Sequence, residues 1–208
     1  LKKSIATVLV AFGLFLSVFL TSSAMAGGFG IGIIGGGANF TTTGYEQETT
    51  GNNERTDAPD QKARVLIGSI FAEYTFGEAY GLTLGVSYTP MDGELGSGER
   101  ADTVSNANDS GSNDAGTYKA KAKVSKHATI YIEPTIMPTD NWGVYLKGGL
   151  ARVTVNSLEE IALGASSSAY GDETVNGLMY GVGMKGVYDN GLFYKLEVIR
   201  IVYDTVTM

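Results

Sequence analysis

The sequence predicts an all-β fold, an antiparallel up-and-down β-barrel. Three observations carry that expectation. After residue 27, apolar residues recur at every second position, with no long stretch at the 3.6-residue spacing of a helix. The alternating segments run to about 10–15 residues, where a globular strand usually has about 5–6. The connections between the segments alternate long and short.

The first element is an address rather than part of the fold. Lys2 and Lys3 form a short positive region, residues 5–20 are apolar and uncharged, and Ala24-Met25-Ala26 is a small-x-small site before Gly27. This is the three-part pattern of a secretory signal peptide, so residues 1–26 are expected to be removed. A retained helical anchor is the competing reading. The apolar run is short for a span of about 20 residues, and an anchor has no use for an Ala-x-Ala site. Removal takes away two Lys and no acid, which moves the formal charge two units further negative from −7.

Seven strands follow. Residues 28–43 form a weak, Gly-rich one. Over 63–76, Leu66, Ile70, Ala72, Tyr74 and Phe76 share one face, with Ser69, Glu73 and Thr75 on the other. Over 81–91, Leu82, Leu84, Val86 and Tyr88 oppose Thr83, Gly85, Ser87 and Thr89. Over 118–134, Tyr118, Ala120, Ala122, Val124, Ala128, Ile130 and Ile132 alternate with Lys119, Lys121, Lys123, His127, Tyr131 and Glu133. Over 142–155, Val144, Leu146 and Leu150 oppose Lys147; over 175–188, Leu178, Tyr180, Val182 and Met184 oppose Lys185. The last, 192–206, sets Leu192, Tyr194, Leu196 and Val198 against Lys195 and Glu197.

The long connections are 44–62, 92–117 and 156–174, all polar; the short ones are 77–80, 136–141 and 189–191. Long loops on one side, tight turns on the other and strands of about 9–11 residues or more are the pattern of a transmembrane barrel. Aromatics gather at the short-turn ends: Phe29, Phe76, Tyr80, Trp142, Tyr188, Phe193 and Tyr194. Such a row reads as a girdle of amphipathic rings at a lipid–water boundary. A soluble barrel with its apolar face inward would show the same alternation; strand length and loop asymmetry favour the membrane form.

Composition narrows the chemistry. The chain has 208 residues with no Cys, one His and one Trp. That removes disulfides, thiolate metal sites and cysteine nucleophiles. One His excludes a multi-histidine metal centre, and the acidic balance argues against a nucleic-acid partner. No Ser, His and Asp arrangement stands out, so no catalytic residue, cofactor or metal is assigned.

The chain resembles the small outer-membrane β-barrels of the OmpA/OmpX-like and opacity-protein group. The likeness is carried by Ala24-Met25-Ala26, by GGFGIGIIGGGANF (27–40), by IFAEYTFGEAYGLTLGVSY (70–88), by WGVYLKGGLARV (142–153) and by LMYGVGMKGVYDNGLFYKLEV (178–198). It covers most of residues 27–208. It implies eight antiparallel strands, both ends in the periplasm, and a site in the outer membrane. The partners it implies are the lipid bilayer with its lipopolysaccharide, the barrel-assembly machinery, and an extracellular partner on the loops. Because the family closes on a C-terminal aromatic strand and this sequence ends within its seventh, an eighth strand is expected to be missing from the C-terminal end. An open edge in hydrocarbon would leave backbone groups unsatisfied. The expected role is structural or surface-interacting, with a filled lumen. A narrow conduit and a soluble lipocalin-like binding barrel are the alternatives.

Two motifs need weighing. GxGxxG occurs at Gly30–Gly35 and Gly181–Gly186. Neither opens a helix, so both read as strand glycines rather than a dinucleotide loop. Glu73, Lys119, Lys121, Lys123, His127, Glu133, Lys147, Lys185, Lys195 and Glu197 form the candidate charge network of the lumen, since small barrels fill their interiors with polar side chains. Calcium binding by the Asp- and Asn-rich loop 92–116 is a minor reading, because no EF-hand spacing is present.

Overall fold

A computed structural model of the chain describes residues 8–21, 28–47, 55–77, 80–102, 116–162, 171–189 and 192–205. Side chains are described over 28–43, 62–77, 80–97, 121–156, 171–189 and 192–205. The strands are β1 (Val8–Thr21), β2 (Gly28–Gln47), β3 (Arg55–Phe76), β4 (Tyr80–Thr89), β5 (Gly93–Asp102), β6 (Gly116–Ile136), β7 (Trp142–Ala162), β8 (Glu173–Val187) and β9 (Leu192–Tyr203). Every pairing is antiparallel, in the order β4-β3-β2-β1-β9-β8-β7-β6-β5, and β4 also pairs with β6, which closes the ring. Strands β4 and β5 lie end to end along β6 and act as one stave. The result is an eight-stave barrel. Among the described residues no helix is long and apolar enough to cross a membrane.

The seven alternating segments supply seven staves. The eighth place lies between β2 and β9, and β1 holds it. Val8 is opposite Thr43 and Thr21 opposite Gly30 on one side; Val10 is opposite Val202 and Leu20 opposite Leu192 on the other. The segment read as a leader therefore stands in the place the sequence leaves for a missing strand. With both ladders made, the ring has no unpaired edge at this seam.

The staves run further toward the long-loop side than the alternation indicates. Strand β3 begins within 44–62 and β7 continues into 156–174. Here the register sets Tyr45 against Asp57 and Lys119 against Glu160. A strand whose two faces are both polar carries no period-two signal, so these lengths read as loop. The middles of the three long connections, 48–54, 103–115 and 163–170, lie outside the described residues.

One break in β6 decides which residues enter the lumen. Ser125 pairs with Thr154 and Ala128 with Arg152, so β6 carries one more residue than β7 across this step. Lys126 takes up the excess at φ 53. An extra residue reverses the alternation. Val124 faces inward before the bulge, whereas Thr129, Tyr131, Glu133 and Thr135 do so after it. Along 118–134 the even positions are apolar except at Lys126, and it is there that the wall changes parity.

Candidate functional site

The lumen has two layers. The layer nearer the short turns is charged. Glu73 stands on β3, Glu133 on β6, Lys147 on β7, Lys185 on β8, and Lys195 and Glu197 on β9; all six are buried. Lys195 Nζ donates to Glu73 and to Glu133 at 2.6 Å each. Lys147 Nζ donates to Glu197 Oε2 at 2.9 Å and lies 3.2 Å from Glu133 Oε1. Glu133, at 0% exposure, joins the two halves of the cluster. Lys185, also buried, sits opposite Lys195 in the register, so the layer holds three acids and three lysines. Pairing is what makes such burial tolerable, because a lone ion there would carry the full desolvation cost.

Two tyrosines complete the layer. Tyr131 donates to Glu73 at 3.1 Å and Tyr145 to Glu197 at 2.9 Å. Lys147 Nζ lies 3.9 Å from the centroid of the Tyr131 ring. Each ring has its space because the residue opposite it is glycine: Gly85 faces Tyr131 and Gly183 faces Tyr145. A Cβ at either glycine would overlap the ring. This is a close-approach role for strand glycine, and it accounts for one glycine of the second GxGxxG without any phosphate. Tyr145 is not among the candidate lumen residues the sequence offers; its parity with Lys147, two residues on, is the signal that places it inward.

The layer toward the long loops is apolar. Ala38, Phe40, Val124, Ala151, Val153, Met179, Ile199, Ile201 and Tyr203 form its buried core. Hydroxyl pairs mark the boundary between layers: Ser69 with Thr89 at 2.6 Å and Ser87 with Thr129 at 2.7 Å. His127 stands here rather than in the charged layer, with Nδ1 3.4 Å from Thr89 Oγ1 and its ring 6.3 Å from that of Tyr203.

The basic row is the main correction. Because the bulge at Lys126 reverses the alternation, Lys121 and Lys123 are on the opposite side of the wall from Tyr131 and Glu133. Lys121 pairs with Glu94 at 2.7 Å, with both side chains well exposed. The side chain of Lys119 lies outside the described residues; in the register it is opposite Glu99 and Glu160. Lys121 and Lys123 are therefore not partners of Glu73, Glu133 or Glu197.

The outer wall inverts the usual arrangement of a soluble protein. Ile33, Leu66, Ile70, Ile130, Leu146, Leu150, Leu178 and Val182 are all exposed, Leu146 at 62% and Leu66 at 76%. They come from β2, β3, β6, β7 and β8 and make an apolar belt over the described wall. At the short-turn end Phe29, Phe76, Tyr80, Trp142 and Tyr188 are exposed. Tyr194 is half-buried, 5.9 Å from Tyr188 between ring centroids. Phe193 departs from the expected row: it shares the inward parity of Lys195 and Glu197, is buried, and packs with Phe71 in the lumen.

Among the described residues no group of His, Asp or Glu is arranged to hold a metal ion. Most of the loop 92–116 lies outside them.

No protein-family model matches the chain, and no curated protein matches it in sequence. Two solved structures of Ail, the attachment invasion locus protein of Yersinia pestis, resemble its shape. The one in complex with the heparin analogue sucrose octasulfate is 8% identical, covering 95% of this chain and 97% of that one at a TM-score of 0.35. Ail alone is also 8% identical with the same coverage, at a TM-score of 0.34. Likenesses this distant carry no weight for function, and the barrel stands on its own ladders.

Proposed function

We propose that the chain is an outer-membrane β-barrel with a structural or surface-interacting role and a filled lumen. One observation carries the reading: charge is buried inside the ring while an apolar belt is exposed around it. Burying about 25 cal/mol per Å² of apolar surface in lipid would stabilise this arrangement, whereas in water the same belt would drive association. A lipocalin-like barrel in water would need the opposite distribution.

The lumen reading rests on Glu133. Its carboxylate holds Lys147 and Lys195 across the channel, and the two ammonium groups lie 3.9 Å from the Tyr131 ring centroid and 5.3 Å from that of Tyr145. An eight-strand barrel has an interior just wide enough for side chains. Any work on external partners then falls to the loops 44–62, 92–117 and 156–174. Lipopolysaccharide around the belt and delivery by the barrel-assembly machinery belong to the same reading, as does a leader cut after Ala26.

Envelope fractionation without detergent tests the location: protein in the aqueous phase contradicts it. Planar-bilayer recording tests the lumen. Long quiet traces are expected, and steady openings would favour a conduit.

A further inference from the structure

We propose, resting on the outer-membrane reading above, that Lys126 and Arg152, with Asn176 beside them, hold the phosphate group of a lipid headgroup on the outer wall of β6, β7 and β8. Ala128, Arg152 and Asn176 stand in one row across these three strands. In the next outward row toward the short turns, Ile130, Leu150 and Leu178 are apolar and exposed. In the next row toward the long loops, Ser125, Thr154 and Thr174 carry hydroxyls, those of Thr154 and Thr174 3.4 Å apart. The wall therefore changes from apolar to polar at the row of Arg152.

The bulge brings Lys126 to this row. It is the added residue between Ser125 and Ala128, and its φ of 53 lies in the left-handed region that a residue with a Cβ adopts only at a cost. Its side chain is exposed, as are those of Arg152 and Asn176. Among the described residues neither Lys126 nor Arg152 has a side-chain ion-pair or hydrogen-bond partner. Asn176 stands between Arg152 and Asp204, whose backbone N–H donates to the Asn176 carbonyl. Two like charges across a ladder are unfavourable, and an anion between them removes the conflict.

Depth identifies the anion. Trp142 and Arg152 both face outward on β7, ten residues apart. At about 3.3 Å per residue and a tilt of about 40°, that is a height of about 25 Å, the height of the apolar band of a membrane barrel. Trp142 marks one boundary with water, so Arg152 meets the other, where lipid phosphates lie. A guanidinium takes two phosphate oxygens at once, and an ammonium adds a point charge. A phosphomonoester, with up to two negative charges, matches the pair of cations better than a singly charged diester. Arg64 and Arg200 are exposed in the same half of the wall, whereas among the described residues no Lys or Arg is exposed beside the aromatics of the short-turn end.

The experiment places the full chain in phosphatidylcholine vesicles with trace spin-labelled phosphatidic acid, phosphatidylglycerol or phosphatidylcholine. Electron spin resonance reads the fraction of label immobilised on the barrel. Phosphatidic acid should be immobilised several-fold more than phosphatidylcholine, with phosphatidylglycerol between them. In the double variant Lys126→Gln, Arg152→Gln that excess should fall at least twofold; Lys121→Gln, which only breaks the pair with Glu94, should leave it unchanged. No excess in the parent chain, or an excess untouched in the double variant, would overturn the site. Loss of the excess on adding inorganic phosphate would assign the site to the free ion and overturn the lipid. Flotation separates the two readings. A chain that does not float with the vesicles overturns both, and one that floats without the excess overturns the phosphate site alone.

Discussion

Replacing Lys195 by Met is the sharpest perturbation of the lumen. Lys195 is buried at 2% exposure and its Nζ bridges two carboxylates at 2.6 Å each. Without it Glu133 keeps Lys147, but Glu73 keeps only the Tyr131 hydroxyl. The layer then holds three acids against two lysines. Removing one partner of a buried pair costs about 3–5 kcal/mol, because the other charge stays desolvated. Met fills much of the vacated volume, so little of that loss comes from a cavity. The second arm is Glu73→Gln in the same chain, which restores the balance. Contacting groups in such a network couple by about 0.5–3 kcal/mol, so the double variant should recover part of the loss. Urea titration of the barrel in lipid vesicles, followed by Trp142 fluorescence, reads both. A loss below about 1 kcal/mol for Lys195→Met, or strict additivity of the two changes, would refute the bridged cluster.

Three further outcomes are expected. Leu146→Arg, in the belt at 62% exposure, should cost about 2–4 kcal/mol in vesicles if this level lies in hydrocarbon, and almost nothing if it faces water; the same urea titration decides. Gly183→Val should cost about 1–3 kcal/mol because the side chain overlaps the Tyr145 ring, and Tyr145→Leu in the same chain should recover part of it. In the unprocessed chain, cysteines at Val18 and Tyr194, opposite each other in the register, should cross-link; protein recovered from envelopes should begin at Gly27 by mass and show no such bond.

The strands were legible because hydrocarbon on one side and a polar lumen on the other force a period of two. Leu146 next to Lys147, and Ile132 next to Glu133, are that signal in its plainest form. The same logic fails where both faces meet water, as at Tyr45 and Asp57, and there the staves read as loops. It fails again at Lys126. A bulge needs one residue in an unusual backbone conformation, and its one sign in Ser-Lys-His-Ala is Lys126, a charge at the apolar parity; alternation read straight through it puts Lys121 and Lys123 on the wrong side. Proximity to a turn groups Phe193 with Tyr194, though adjacent residues of a strand cannot share a face. The source of the eighth stave was beyond reach, because β1 carries the pattern of a leader and its place in the ring is set only by pairing with β2 and β9.

The central claim is that this barrel carries its charge inside and its apolar surface outside, toward lipid. A nitroxide scan along β8 in lipid vesicles tests it most directly, since the chain has no native cysteine to mask. Labels at Leu178, Tyr180, Val182 and Met184 should collide readily with dissolved oxygen and poorly with an aqueous nickel chelate. Labels at Val175 and Met179, which are buried inward positions, should meet far less oxygen. Oxygen accessibility without a two-residue period, or highest at the odd positions, would contradict the account.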